Sequence, residues 1–184
     1  MAPRCRKEAL LYSRMKSPVG PLLLGMSGSA LVVLAFGPKL PERLAGQAVK
    51  WQESPDTTEA VRQQLGEYFA GGRRKFTLPL DLRGTDFQKR CWKELLRIPY
   101  GETRSYAEVA RAVGSPSAYR AVGQANHYNP IAIVVPCHRV LAAGTALGGY
   151  GGGLATKAFL LRLEGAEFHD EATADSQQRA LNFT

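Results

Sequence analysis

Hydrophobic and polar positions change period partway along the chain, near Gly84. Before it, short apolar runs alternate with turn chemistry. Ala9 to Met15, Leu22 to Ser27 and Ala30 to Phe36 read as strands, with Ser17-Pro18-Val19-Gly20-Pro21 and Gly28-Ser29 as the turns between them. That spacing predicts a three-stranded antiparallel meander. A short helix is expected around Pro41 to Val49. A firmer one is expected from Asp56 or Thr57, with Glu59 as capping-box partner of Asp56. Its apolar face is Val61, Leu65, Tyr68 and Phe69, and it ends at Gly71-Gly72. Phe76 to Leu82 reads as extended, and Pro79 within it makes it an edge or linker rather than a central strand.

Beyond Gly84 the period is helical. Thr85 and Gln88 form a capping box ahead of Phe87, Cys91, Trp92, Leu95 and Leu96, and that helix stops before Pro99. Ser105 and Glu108 form a second box opening a short helix through Ala107, Ala110 and Val113, with Gly114 as its stop. Ser115 as N-cap and Pro116 at the first helical position predict a third helix running through Tyr119, Arg120 and Val122 towards Asn126. Two short helices joined by a Gly-containing turn have helix-turn-helix geometry, which serves core packing as readily as DNA binding. The apolar run Ile131 to Val135 suits a buried segment ending at Pro136. A Gly-rich loop from Gly144 to Gly153 precedes a final helix, Leu154 to Glu164, closed by Gly165. The fold class is therefore α+β: an antiparallel-sheet domain over 1–83, a mostly helical domain with a helix-turn-helix over 84–168, and a mobile polar tail over 169–184.

Composition narrows the class. The 184 residues are 45% hydrophobic and 22% charged, an ordinary globular balance. The formal net charge of +8 favours polyanions, although a basic surface can also be merely solvated. The three cysteines, Cys5, Cys91 and Cys137, are odd in number and irregularly spaced, which argues against a disulfide framework and for a reducing compartment. Met1 to Lys16 makes a poor signal peptide and no apolar stretch is long enough to span a bilayer, so a cytoplasmic location is expected, nuclear in a eukaryote, with no membrane partner.

The run Val135-Pro136-Cys137-His138-Arg139-Val140 carries the chemistry. A thiol is a useful nucleophile as thiolate, and adjacent basic groups favour that form. By itself this pair is equally consistent with a buried structural cysteine. Its surroundings decide. Pro136 to Val140 resembles the Pro-Cys-His-Arg-Val signature of the O6-alkylguanine-DNA alkyltransferases. Ile98-Pro99-Tyr100-Gly101-Glu102-Thr103-Arg104-Ser105-Tyr106 resembles the family's stretch leading into its helix-turn-helix, and Arg120-Ala121-Val122-Gly123 its recognition helix. Asn129-Pro130-Ile131 and Gly149-Tyr150-Gly151-Gly152-Gly153-Leu154, with Lys157 and Leu160-Leu161, follow in family order.

The resemblance implies a ribonuclease-H-like first domain and a stoichiometric transfer of an alkyl group from O6-alkylguanine in duplex DNA, with O4-alkylthymine as a second substrate. Cys137 would be the acceptor, His138 the base that takes its proton through a water, Glu164 the carboxylate orienting that base, and Asn129 the residue holding the loop. Arg120 would enter the base stack and Tyr106 would push the nucleotide out and donate to the departing base. Ala107, Ser115, Ala121, Gly123, Arg139, Val140, Tyr150 and Gly151 complete the expected DNA- and substrate-contacting set. No metal and no cofactor is expected: of the cysteines and histidines only Cys5 lies in the expected first domain, and His127, His138 and His169 all lie in the second half or tail. Gly151 stands where some relatives carry serine, which removes a hydroxyl and widens the expected range of alkyl groups. The expected state is a monomer able to cluster on DNA. A non-catalytic alkyltransferase-like protein that only grips the lesion is the alternative, but such relatives lack the acceptor cysteine. A helix-turn-helix regulator and a thiol hydrolase fit less well, for want of a dimerisation helix and an oxyanion-hole signal.

Overall fold

The computed structural model describes residues 9–39 and 50–169. The expected helix at Pro41 to Val49, Cys5, and the tail beyond His169 lie outside these residues. By its contacts the chain divides into two compact units. One holds the residues up to Lys89 with Tyr128–Val135, and the other holds Arg90–His127 with the residues from Pro136 onward. The expected boundary near Gly84 thus differs in two places: the start of the helix that opens at Asp86 and the apolar run 128–135 both group with the sheet.

In the first unit β1 (Ala9–Ser17), β2 (Gly20–Ser27) and β3 (Ala30–Phe36) form the antiparallel meander that their turns predict. The sheet is not antiparallel throughout. β4 (Lys50–Glu53) adds to β1 in parallel, giving the order β3-β2-β1-β4. Four residues with one half-buried side chain, Trp51, are too short to show an alternation in sequence. The central residues of β2 and β3 are buried at every position, as expected where both faces of a sheet are covered.

The outer edge of β3 is covered by two extended segments rather than by a strand. Leu31 N donates to Pro79 O at 2.8 Å and Leu34 N to Pro130 O at 2.9 Å, while Asp81 N and Ala132 N donate back to Leu31 O and Leu34 O. Each proline supplies only a carbonyl, the one ladder group it possesses, so the edge reading of Pro79 holds. α1 (Glu59–Phe69) follows a 3-10 turn over Asp56–Thr58, and the expected Asp56/Glu59 capping box does not form. The Thr58 hydroxyl donates to Pro55 O and pairs with the buried hydroxyl of the distant Ser13, which fixes the turn instead. Val61, Leu65 and Tyr68 are buried as expected, with Phe69 half-buried.

α2 (Asp86–Leu95) carries the predicted box, Thr85 N donating to Gln88 Oε1 at 2.9 Å and Gln88 N to Thr85 Oγ1 at 3.3 Å. In the second unit a two-residue strand β5 (Arg104–Ser105) leads into α3 (Tyr106–Ala112), capped reciprocally by Ser105 and Glu108. α4 (Tyr119–His127) starts later than Ser115. Ala118 N bonds to Ser115 O in a tight turn, and Ala118 O then receives the first helical bond from Val122 N. Ser115 is therefore a turn residue, not the cap. Trp92 anchors α4 by donating its indole N–H to Ala125 O at 2.8 Å. β6 (Val140–Leu141) pairs in parallel with β5, and α5 (Leu154–Glu164) ends at Gly165 in the left-handed conformation. His169, read as the start of the tail, bridges to Ala146 and donates its N–H to Thr145 O. Among the described residues no helix is long and apolar enough to cross a membrane.

Candidate active site

The loop that precedes Pro136 in sequence belongs to the first unit. Asn129 is buried, donates Nδ2–H to Val135 O at 2.8 Å and accepts from Ile131 N at 3.0 Å, closing the loop 129–135 on one side chain. Within that loop Ile133 has φ +70°, and Val134 N reaches back to Ala132 O. A β-branched residue there is strained, so the loop needs the clamp Asn129 gives it. The chain then passes through Pro136 into a 3-10 turn over Cys137–Arg139, in the second unit.

Cys137 is 7% exposed and lines a cavity of about 500 Å³ together with Tyr106, Gly123, Asn126, His127, Gly149, Tyr150 and Gly151. That size lies in the range of small-molecule sites, about 300–1,000 Å³. Tyr106, the first residue of α3, is the cavity's aromatic wall. Its ring edge comes so close to Gly148 that a Cβ there would sit 3.4 Å from the ring and hydroxyl. Burial, then the charge of nearby Cys137, pushes the Tyr106 hydroxyl above its ordinary value, so it is a donor at neutral pH. A Cβ on Gly151 would meet nothing within 4 Å, which leaves this side of the cavity open.

His138, the residue after the thiol, is fully buried. Its Nε2 pairs with Glu164 Oε1 at 2.9 Å, and its Nδ1 has no partner among the described residues. Burial pushes the imidazole below its usual range, although Glu164 opposes the shift. The ring is neutral at pH 7, so Nε2–H donates to Glu164 and Nδ1 is left as an acceptor. Arg139 neutralises the same carboxylate. Its Nε and Nη2 donate to Glu164 Oε2 and Oε1 at 2.8 and 3.0 Å, and Nη1 donates to Ile98 O at 2.6 Å. Burial alone would push the Glu164 carboxyl up, but the hydrogen bond from His138 and the hydrogen bonds and charge of Arg139 outweigh it and hold the group well below the usual carboxylate range.

The turn 98–101 completes this arrangement. Tyr100 lies 5.8 Å from the Arg139 guanidinium and donates to Leu163 O. Gly101, at φ +80°, packs so closely that a Cβ would stand 2.9 Å from Glu164 O. Lys157 lies on the same stripe of α5 as Glu164 and is fully buried, its ammonium donating to Val140 O at 2.6 Å and to Leu147 O. Burial pulls the ammonium down to about 8, against the attraction of nearby Cys137.

The structure brings Cys137, Tyr106, Gly123, Tyr150 and Gly151 to one cavity and puts His138 and Glu164 in contact behind it. Two expectations are corrected. Arg139, expected at the DNA, is buried with its whole fork occupied by Glu164 and Ile98. Val140, expected to touch substrate, is also buried, and its carbonyl holds Lys157. Ala107, Arg120 and Ala121 are exposed on α3 and α4, outside the cavity lining, and Ser115 is half-buried in the turn between them. The Arg120 guanidinium lies over the exposed Tyr119 ring at 5.7 Å. Sequence reasoning missed Asn126, His127 and Gly149 in the lining. The signal for the first two was their spacing of three and four from Gly123, which puts them on one helix face. Lys157 was legible as part of a motif but without a role; its spacing from Leu160, Leu161 and Glu164 marks it as buried.

A thiol in a base-sized cavity walled by a helix-turn-helix pair, with a neutral imidazole oriented from behind, is the equipment of a DNA-acting protein with a cysteine nucleophile. Comparison with known proteins agrees. Residues 10–82 match the family model described as 6-O-methylguanine DNA methyltransferase, ribonuclease-like domain, and residues 86–166 match its DNA binding domain. The methylated-DNA–protein-cysteine methyltransferase of Mycobacterium tuberculosis is 51% identical over 153 residues, covering 83% of this chain and 91% of that protein. The protein of the same name from Methanosarcina barkeri is 47% identical, covering 84% and 97%. The crystal structure of M. tuberculosis OGT in complex with DNA superposes with a TM-score of 0.76 at 50% identity, covering 84% of this chain and 92% of that one. The chain belongs to the methylated-DNA–protein-cysteine methyltransferase family. These identities, with the acceptor cysteine present, favour the transferase over the non-catalytic lesion binder.

Proposed function

We propose that the protein repairs duplex DNA directly, taking the alkyl group of O6-alkylguanine onto Cys137 once per molecule. The observation that carries this reading is Cys137 at the cavity wall, followed in sequence by a buried neutral His138 locked onto Glu164. The Cys137 proton passes by way of a water to His138 Nδ1. The imidazolium so formed is stabilised by Glu164, which is held ionised by Arg139. The thiolate attacks the alkyl carbon, a carbon–sulfur bond forms, and the carbon–O6 bond breaks with its electron pair going to the guanine. The Tyr106 hydroxyl donates to the departing base. A thioether is not readily reversed, so the protein is spent.

The target atom is on a base inside a duplex, so the base must be extruded, at about a few kcal/mol. In this reading the exposed Arg120 fills the stack, and the small residues Ala121 and Gly123 let α4 approach the minor-groove walls. Arg104 and Arg111 and the net charge of +8 provide sequence-independent phosphate attraction, suited to a lesion that arises anywhere. In this reading the protein is a monomer in solution, able to cluster on DNA, and it works inside the cell. Gly151 leaves room for larger alkyl groups, which requires that Gly151→Ser lose rate on an O6-benzylated base more than on a methylated one. The whole reading is tested by single-turnover incubation with duplex DNA carrying O6-methylguanine. Loss of the modified base from the DNA at one per protein, abolished in Cys137→Ser, supports it; turnover beyond one per protein, or no loss, overturns it.

A further inference from the structure

Arg120 stands exposed in the first turn of α4, and among the described residues its guanidinium has no ion pair and no hydrogen-bond partner. Other arginines of the same unit sit against a carboxylate, Arg97 with Glu94 and Arg104 with Glu102. What Arg120 has instead is a ring. Its guanidinium carbon lies 5.7 Å from the centroid of Tyr119, within the reach of a cation–π contact. Helix periodicity does not impose that contact, since consecutive residues point about 100° apart and do not face each other. Nor does Tyr119 serve the core. Its ring is 47% exposed and lies outside the lining of the cavity beside Cys137.

A carboxylate partner would neutralise the guanidinium and occupy part of its donor fork. An aromatic face restrains the group while leaving its charge and its five N–H donors unspent. The first turn of α4 holds no acidic residue, and the helix dipole there disfavours a cation, so the ring is the contact that counters it. A long exposed side chain otherwise samples many rotamers, most of which are given up when it is ordered against a ligand. We propose that Tyr119 is the positioning residue for Arg120, holding the guanidinium over its ring so that it enters the base stack with less loss of side-chain freedom. This rests on the reading that Arg120 fills the place of the extruded base, and it adds a residue that acts through Arg120, away from the reacting atoms. Tyr119 therefore matters for duplex DNA, where a base must leave the stack, and not for an alkylated base offered free in solution.

The test uses the full chain and measures two single-turnover rates for each variant: transfer from duplex DNA carrying O6-methylguanine, and reaction with free O6-benzylguanine. The readout is the ratio of the two, so partial loss of active protein cancels. Tyr119→Ala and Tyr119→Leu should each lower the duplex-to-free ratio by about two- to fivefold, the scale of one exposed cation–π contact. Tyr119→Phe keeps the ring and should hold the ratio. In an Arg120→Ala background, adding Tyr119→Ala should lower it no further. The proposal is overturned by a wild-type ratio in Tyr119→Ala or Tyr119→Leu, by a Tyr119→Phe ratio as low as that of Tyr119→Ala, or by a loss that persists without Arg120, which would place the ring on the DNA itself. A wild-type ratio in Arg120→Ala would instead overturn the stack-filling role on which the proposal rests.

Discussion

Replacing Glu164 by glutamine probes the relay with little change of shape. Glu164 is fully buried at its side chain and receives four donors: Arg139 Nε and Gly101 N at Oε2, and His138 Nε2 and Arg139 Nη2 at Oε1. A glutamine keeps one acceptor oxygen. Its NH₂ must face either Arg139 Nε–H and Gly101 N–H, or Arg139 Nη2–H and His138. In both orientations a buried guanidinium loses its counter-charge, which costs about 3–5 kcal/mol. The native state has about 5–15 kcal/mol to lose, so the variant folds but is weakened. The effect on transfer is larger in proportion. Without the carboxylate, His138 no longer has its Nε2–H tautomer enforced and its imidazolium is unsupported; loss of an orienting carboxylate elsewhere costs about 10⁴ in rate, so a slowing of about a hundredfold or more is expected. The pH dependence carries the sign. The carboxyl is held below its unfolded value, so the stability it contributes is present above about pH 4.5 and is lost as the pH falls below that. Urea unfolding should therefore show a gap between wild type and Glu164→Gln that narrows on acidification through this window. A transfer rate within about threefold of wild type, or a gap that does not change with pH, refutes the reasoning.

Two further outcomes follow from single residues. Lys157→Met leaves the carbonyls of Val140 and Leu147 without their donor, at about 1–3 kcal/mol for each unsatisfied group. Because burial lowers the folded lysine to about 8, the folded state releases its proton before the unfolded state does, and wild-type stability gains between there and the unfolded value of 10.5. The variant's deficit in urea unfolding should thus widen as pH rises through that range, and a constant deficit contradicts the assignment. Arg120→Ala should slow transfer from duplex DNA by about tenfold or more while leaving the reaction with free O6-benzylguanine unchanged, since a free base need not be extruded; equal slowing of both reactions would place Arg120 in the chemistry instead.

Much of this site is legible in the sequence, because its parts are short-range. The capping boxes at Thr85/Gln88 and Ser105/Glu108 are local hydrogen-bond grammar, and both form as read. α5 begins at Leu154 and ends at Gly165 as its glycine predicts. Where a distant partner competes, the local reading fails. Thr58 spends its hydroxyl on Ser13, forty-five residues away, and the box expected at Asp56 is lost. β4 is invisible because its stability comes from β1 rather than from its own pattern. Arg139 was misplaced for the same reason: its charge suggests a surface, while Glu164 and Ile98, both far along the chain, draw it into the interior.

The central claim is that Cys137 is the covalent acceptor, and proteolytic mass mapping tests it most directly. After incubation with duplex DNA containing O6-methylguanine, one methyl group should appear on the peptide carrying Cys137, with the peptides of Cys5 and Cys91 unchanged and no gain in Cys137→Ser. A methyl group on any other residue, or an unmodified protein alongside repaired DNA, would contradict the account.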